Sequence, residues 1–142
     1  MIRLKIPPLY QSFFLCLFVS SWCSGLLFFV LSKWFRITGE YGLQQHPWQF
    51  PSIQIHGGTA FLAMICFGIL LGTHIPSGWK NKKKRKSGIA LIVVACFLII
   101  TAYLLYYIAQ DNLREYIVYA HLTLGLAFPF VLIVHLIKKN TF

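Results

Sequence analysis

Four long apolar segments, separated by short polar stretches, dominate the hydropathy pattern of the chain. They cover approximately residues 9–34, 52–75, 88–109 and 115–137. Each segment has at least the roughly 20 residues that an α-helix needs to cross the hydrocarbon core of a bilayer. The pattern predicts an all-α fold, an integral membrane four-helix bundle with up-down-up-down topology, in which residues 1–142 form a single transmembrane domain.

The second apolar segment has the clearest start and stop signals. Pro51 and Ser52 are typical of a helix start, and the run Ile75-Pro76-Ser77-Gly78 is typical of a helix end. We therefore expect the second helix to end at about Ile75. The longest connection, at about residues 33–50, is too short to hold a separate catalytic domain.

Composition favours a membrane protein over a soluble one. The 142 residues are 58% hydrophobic and 17% aromatic, and only 11% of them are charged. About a quarter of the residues of an ordinary soluble domain carry charge. Most side chains are therefore expected to contact membrane lipids.

The charged residues predict an orientation. Ten of the thirteen basic residues fall on the two tails and in the connection between the second and third helices, and all three acids fall on the opposite side of the predicted bundle. Cytoplasmic segments are enriched in Lys and Arg, so both termini and the run Lys80–Lys86 are expected on the cytoplasmic side of a bacterial inner membrane. Despite the net charge of +10, this pattern predicts contact with anionic lipids and no nucleic-acid partner.

Four of the five histidines lie in the apolar segments, where an ionisable side chain is expected to be functional. His56 and His74 are 18 residues apart, which is five full turns, so they share one face of the second helix. His121 and His135 are 14 residues apart and lie about 40° from each other on one face of the fourth helix. Two of the helices therefore each present a face with two histidines.

The predicted topology pairs these histidines by level in the membrane. The second and fourth helices run in the same direction, so His56 and His121 are expected at the outer level and His74 and His135 at the inner level. Facing neutral imidazoles are the axial ligands of six-coordinate haem. The sequence therefore predicts two haems b, with the outer iron held by the first pair and the inner iron by the second. It contains no C-x-x-C-H motif, which excludes covalently attached haem.

Two considerations leave the ligation open. At about 1.5 Å per residue, the histidines span roughly 27 Å on the second helix but roughly 21 Å on the fourth, so one site can be empty or differently ligated. The histidines can instead serve as hydrogen-bonding residues between helices. A zinc or copper site would need its ligands clustered within a few ångströms.

The histidine spacing resembles that of a known family. The fourth helix carries His121-LTLGLAFPFVLIV-His135, and the second begins HGGTA at His56 and ends LLGTH at His74. These features resemble the four-helix core of bacterial membrane-bound di-haem cytochromes b, including the cytochrome b561 type and the cytochrome b subunits of respiratory dehydrogenases. The resemblance covers about residues 52–138, and the second helix departs from it, with 17 residues between its histidines instead of 13. It implies electron transfer between a quinone or quinol and a redox partner protein, within an oxidoreductase.

Two other functions fit the same residues. A protein with both haems can oxidise a small outer substrate such as superoxide, an anion that Lys33, Arg36 and Arg114 would attract. Alternatively, the chain is a haem-free membrane scaffold or assembly factor, in which the histidines pack the helices together.

Polar residues near the histidines are candidates for tuning a haem by hydrogen bonds. Gln54, Thr59 and Tyr119 are expected near the outer pair, and Thr73 and Thr101 near the inner pair or the midplane. A quinol that is oxidised releases protons. Candidate acceptors lie at the outer rim of the predicted bundle: Glu40, His46, Asp111 and Glu115.

Overall fold

The computed structural model describes residues 6–80 and 84–137. They form four α-helices and one β-hairpin, in the order α1 (Pro8–Trp34), β1 (Ile37–Gly39), β2 (Gly42–Gln44), α2 (Gln49–Lys80), α3 (Arg85–Tyr107) and α4 (Asp111–Ile137). All four helices are long and apolar enough to cross a membrane. The prediction of four membrane-length helices is confirmed.

The hairpin between α1 and α2 is an element that the hydropathy pattern does not predict. Its strands are antiparallel and pair Ile37 with Gln44, Thr38 with Leu43, and Gly39 with Gly42. Gly42, which follows the two-residue turn, has a φ of +107°, a conformation that favours glycine. Each strand has three residues, too few for an alternating pattern to be recognised in the sequence.

The end of α2 corrects the sequence prediction. The helix continues through Pro76 to Lys80 and does not stop at Ile75. A proline inside a helix removes one backbone hydrogen bond, and here the helix continues beyond it. The Arg85 guanidinium donates from Nε to the carbonyl oxygen of Trp79 at 3.1 Å, and its central carbon lies 4.9 Å from the centre of the Trp79 ring. This contact caps the last turn of α2 and accounts for its extension.

The remaining helix boundaries differ from the prediction by a few residues. α3 begins at Arg85, directly after Lys84, whose left-handed backbone has a φ of 50° and whose carbonyl accepts the N–H of Gly88. α4 begins at Asp111, and a carboxylate in the first turn stabilises the positive end of the helix dipole.

Backbone contacts divide the chain into two compact units. The first ends at His74 and contains α1, the hairpin and most of α2, and the second begins at Ile75 and contains the end of α2 together with α3 and α4. In the second unit, α3 and α4 are antiparallel, because the start of α3 contacts the end of α4 and the end of α3 contacts the start of α4. In the first unit, α1 and α2 make side-chain contacts in the same antiparallel sense.

Most apolar side chains of the helices face outward. At most 17% of the apolar window of any helix is buried. The buried hydrophobic residues are Leu17, Leu31, Cys66 and Ile117, and the buried polar residues are Ser24, Ser52 and Thr101. Such a large exposed apolar surface suits contact with membrane lipids and is rare on soluble proteins.

Several residues used to predict orientation lie outside the described part of the chain. They are Arg3, Lys5, Lys82, Lys83, Lys138 and Lys139. The cytoplasmic location of both termini therefore stays a prediction.

Candidate functional site

His56 links α2 to α1 in the first unit. Its Nδ1 lies 2.8 Å from the backbone carbonyl oxygen of Ser21 and 3.3 Å from the Ser21 hydroxyl. A carbonyl oxygen only accepts hydrogen bonds, so the proton of the neutral ring is on Nδ1 and is donated to it. The lone pair of His56 is then on Nε2.

The His56 ring also lies against Gly25, one turn after Ser21 on α1. A Cβ at position 25 would lie 2.6 Å from Nδ1 and 2.7 Å from Cε1 of His56. Non-bonded carbon atoms prefer separations of about 3.5–4.0 Å, so this approach requires a residue with no side chain. Ser21 and Gly25 together form the surface of α1 on which the imidazole is positioned.

His121 makes the corresponding contact in the second unit, from α4 to α3. Its Nδ1 lies 2.8 Å from the hydroxyl oxygen of Thr101. That hydroxyl is also 2.8 Å from the carbonyl oxygen of Phe97, to which it donates its only proton. It therefore accepts the hydrogen bond from His121, and the lone pair of this ring is again on Nε2. Thr101 is only 8% exposed, so the contact is shielded.

His135 repeats the pattern nearer the other end of α3. Its Nδ1 lies 3.0 Å from the Ser87 hydroxyl, which donates to the carbonyl oxygen of Lys84 at 3.2 Å. The ring of His135 therefore has the same tautomer as the other two. The Lys84 ammonium donates to the backbone carbonyls of His135 and Leu136, at 2.8 Å and 2.9 Å.

The other two histidines have different surroundings. His74 is half-buried near the boundary of the two units, and within residues 6–80 and 84–137 no contact from a neighbouring helix fixes its ring. His46 lies before α2, where its Nδ1 accepts the backbone N–H of Trp48 at 3.2 Å. His46 therefore stabilises the turn that leads into α2.

The shared tautomer of three histidines is the one that suits metal ligation. A histidine that binds a metal through one ring nitrogen almost always donates the N–H of the other to a carbonyl, a carboxylate or water, which fixes the ring and raises its basicity. His56, His121 and His135 each hold Nδ1–H in such a bond. At these three positions the residues fit an axial haem ligand that binds through Nε2.

The hydroxyl groups that position these rings were only partly foreseen from the sequence. Thr101 was expected near the inner pair or the midplane, and it contacts His121, which was assigned to the outer pair. Ser21 and Ser87 were not recognised. A signal for the two α3 residues exists, because each of them and its histidine partner are equally distant from Asp111, near the turn of an antiparallel helix pair.

The other candidate tuning groups have local contacts. Thr59 and Thr73 donate to carbonyls of their own helix, those of Ile55 and Ile69. Gln54 is exposed. A partly open cavity of about 390 Å³ on α4 is lined by Asn112, Glu115, Tyr116 and Tyr119. It brings together two residues that the sequence placed near the outer site, Glu115 and Tyr119.

No family model, no curated protein and no solved structure matches this chain. Among the described residues, no group of three or more His, Cys, Asp or Glu side chains is arranged to hold a metal ion. A bis-histidine haem needs only two protein ligands. The case for a cofactor therefore depends on the histidine contacts themselves.

Proposed function

We propose that the chain is a di-haem b-type electron-transfer protein of the bacterial inner membrane, exchanging electrons between the quinone pool and a redox partner. The main support is the common hydrogen-bond pattern of His56, His121 and His135, which keeps the proton on Nδ1 and the lone pair on Nε2. This pattern occurs in helices apolar enough to cross a membrane.

The proposed ligands follow the register of the sequence. His56 and His121 hold the outer iron, and His74 and His135 hold the inner iron. Bound haem b supplies a one-electron couple between ferrous and ferric iron. The carbonyl of Ser21 and the hydroxyl of Thr101 keep the two outer imidazoles in the ligating tautomer, and Ser87 does the same for His135.

Exchange of electrons with a quinol also requires a proton acceptor. A carboxylate is suited to this role, and Glu115 lines the cavity on α4 with the hydroxyl-bearing Tyr116 and Tyr119. Glu115 lies six residues before His121, which is about 9 Å along the helix axis. We assign Glu115 the role of accepting a proton from a quinol that is oxidised at the outer site.

A visible spectrum and a haem assay of the purified protein test the proposal. A pyridine haemochrome assay is expected to give two haems b per chain. Replacing an axial ligand leaves the iron five-coordinate, so His56→Ala and His121→Ala should lose the same spectral component. His74→Ala and His135→Ala should both lose the other component. His46→Ala, in the turn before α2, is the matched control and should retain both.

Each alternative has its own outcome in this experiment. A haem content near zero contradicts the proposal and favours a haem-free scaffold in which the histidines pack helices together. One haem per chain contradicts the two-site assignment and indicates that the unequal histidine spacing leaves a site empty. A shared phenotype for His56→Ala and His135→Ala contradicts the parallel direction of the second and fourth helices.

A further inference from the structure

Lys84 and Ser87 surround His135 from two sides. The Ser87 hydroxyl accepts the ring Nδ1–H, while the Lys84 ammonium donates to the backbone carbonyls of His135 and Leu136. The last carbonyls of a helix carry a partial negative charge equivalent to about half an electron. Lys84 therefore places a positive charge at the end of α4 that holds a proposed haem ligand.

The backbone of Lys84 suggests that its side chain matters. Its φ of 50° and ψ of 28° lie in the left-handed region, and it is the only residue other than glycine with a positive φ in the described part of the chain. This conformation favours glycine and costs other residues about 1–2 kcal/mol. A lysine at this position accepts the backbone cost and provides a cation that glycine lacks.

The opposite end of α4 has the opposite charge pattern. Asp111 and Glu115 lie in its first turns, with Arg114 between them, and His121 follows within two turns. The end near His135 is cationic, because Lys80, Lys84, Arg85 and Lys86 all belong to the same unit. Positive charge stabilises the reduced form of an iron site and negative charge stabilises the oxidised form.

We propose that Lys84 and Ser87 are positioning residues that give the site of His135 a higher reduction potential than the site of His121, which makes the site of His135 the electron acceptor. This inference rests on the proposed function. One electron leaves the site of His121, whose iron is oxidised from ferrous to ferric, and reduces the iron at the site of His135. The transfer needs no proton, and electrons therefore pass from the outer site to the inner one.

The two residues have opposite effects on the potential, which gives the inference a sharp test. Removing the cation in Lys84→Gln should lower the midpoint potential of the component that His135→Ala eliminates. Removing the acceptor in Ser87→Ala makes the imidazole a weaker donor to iron, so the same component should shift upward. A role in packing alone would not give two shifts of opposite sign.

The measurement is a spectroscopic redox titration of the purified, haem-loaded protein. Lys84→Arg keeps the charge and should retain the wild-type potential, and Lys86→Gln, at an exposed neighbouring position, is the matched control. Nitrogen NMR of the haem-free protein, with labelled histidine, gives a second readout. It should show the His135 proton on Nδ1 in the wild type, and exchange between the two nitrogens in Ser87→Ala.

The outcomes separate this inference from the proposed function. Absence of haem overturns both. Two haems with the lower potential at the site of His135 overturn the inference alone, as does a Lys84→Gln titration identical to wild type. A His135 proton on Nε2 in the haem-free protein overturns the assigned role of Ser87.

Discussion

His56 in the first unit and His121 in the second reach the same tautomer through different acceptors. His56 donates to a backbone carbonyl, which is present whatever side chain occupies position 21. His121 donates to the Thr101 hydroxyl, which is itself positioned by a bond to the carbonyl of Phe97. The α1 contact should therefore be sensitive to steric changes at Gly25, and the α3 contact to the chemistry of a single hydroxyl.

The two units also differ in how their spacing matches. In the second unit, Ser87 and Thr101 on α3 are 14 residues apart, as are His121 and His135 on α4, so an antiparallel pair brings both hydroxyls to both histidines. In the first unit, His74 lies 18 residues after His56. The register that pairs His56 with Ser21 would match His74 to a position before Pro8, where α1 begins. α1 is therefore too short to position His74.

The largest expected effect is steric, at Gly25. In Gly25→Ala, the new Cβ would lie within 2.7 Å of two ring atoms of His56, so the imidazole must rotate and lose its bond to the Ser21 carbonyl. We expect affinity at the outer haem site to fall by about 100-fold, the upper end of the effects seen when a ligand loses its supporting contact. Titration of the haem-free protein with haem, followed by the Soret band, measures it.

Gly68→Ala is the matched control on α2. A Cβ at position 68 meets no described atom within 4 Å, and alanine is the better helix former by about 1 kcal/mol. This variant should bind haem normally and unfold at the same or a higher temperature. Equal haem affinity in Gly25→Ala and Gly68→Ala would contradict a role for Gly25 in positioning His56.

The sequence predicts those features of the molecule that depend on one helix at a time. Hydropathy locates all four helices, and the helical period places two histidines on a single face of α2 and of α4. It fails where a second segment decides the outcome. α2 passes through Pro76 because Arg85, from the next helix, caps its last turn.

The supporting groups of the candidate site were hidden for the same reason. Ser21 and Ser87 are ordinary helix residues until the register of an antiparallel pair brings them to a histidine. The carbonyl of Ser21 has no signature in a sequence, because every residue has one. Thr101 was recognised as polar in an apolar helix, but its level could not be assigned without its partner on α4.

The second prediction is chemical, at Thr101. Thr101→Val keeps the shape of the side chain but removes the acceptor for the His121 Nδ1–H. An unsatisfied buried donor costs about 1–3 kcal/mol, so the haem-free protein should be less stable by about that amount. A weaker imidazole donor should raise the midpoint potential of the outer haem and lower its affinity by about tenfold.

Thr123→Val is a suitable control, because the Thr123 hydroxyl bonds only to its own helix among the contacts described, at the carbonyl of Tyr119. Chemical denaturation and a redox titration are compared for the two variants. If both variants leave the potential of the component lost in His121→Ala unchanged, the Thr101 hydroxyl does not act on the ligand.

The smallest effect is expected at Ser21, and it tests the tautomer of His56 directly. Nδ1 is 2.8 Å from the carbonyl oxygen and 3.3 Å from the hydroxyl, so the carbonyl is the main acceptor and survives in Ser21→Ala. Haem affinity and potential should therefore change by no more than about twofold, as for most substitutions that remove no essential contact. Ser20→Ala, at the exposed preceding position, is the control. An effect as large as that of Thr101→Val would mean that the hydroxyl donates to Nδ1. The lone pair used for that bond would leave the proton on Nε2, and His56 could not ligate iron through that atom without losing it.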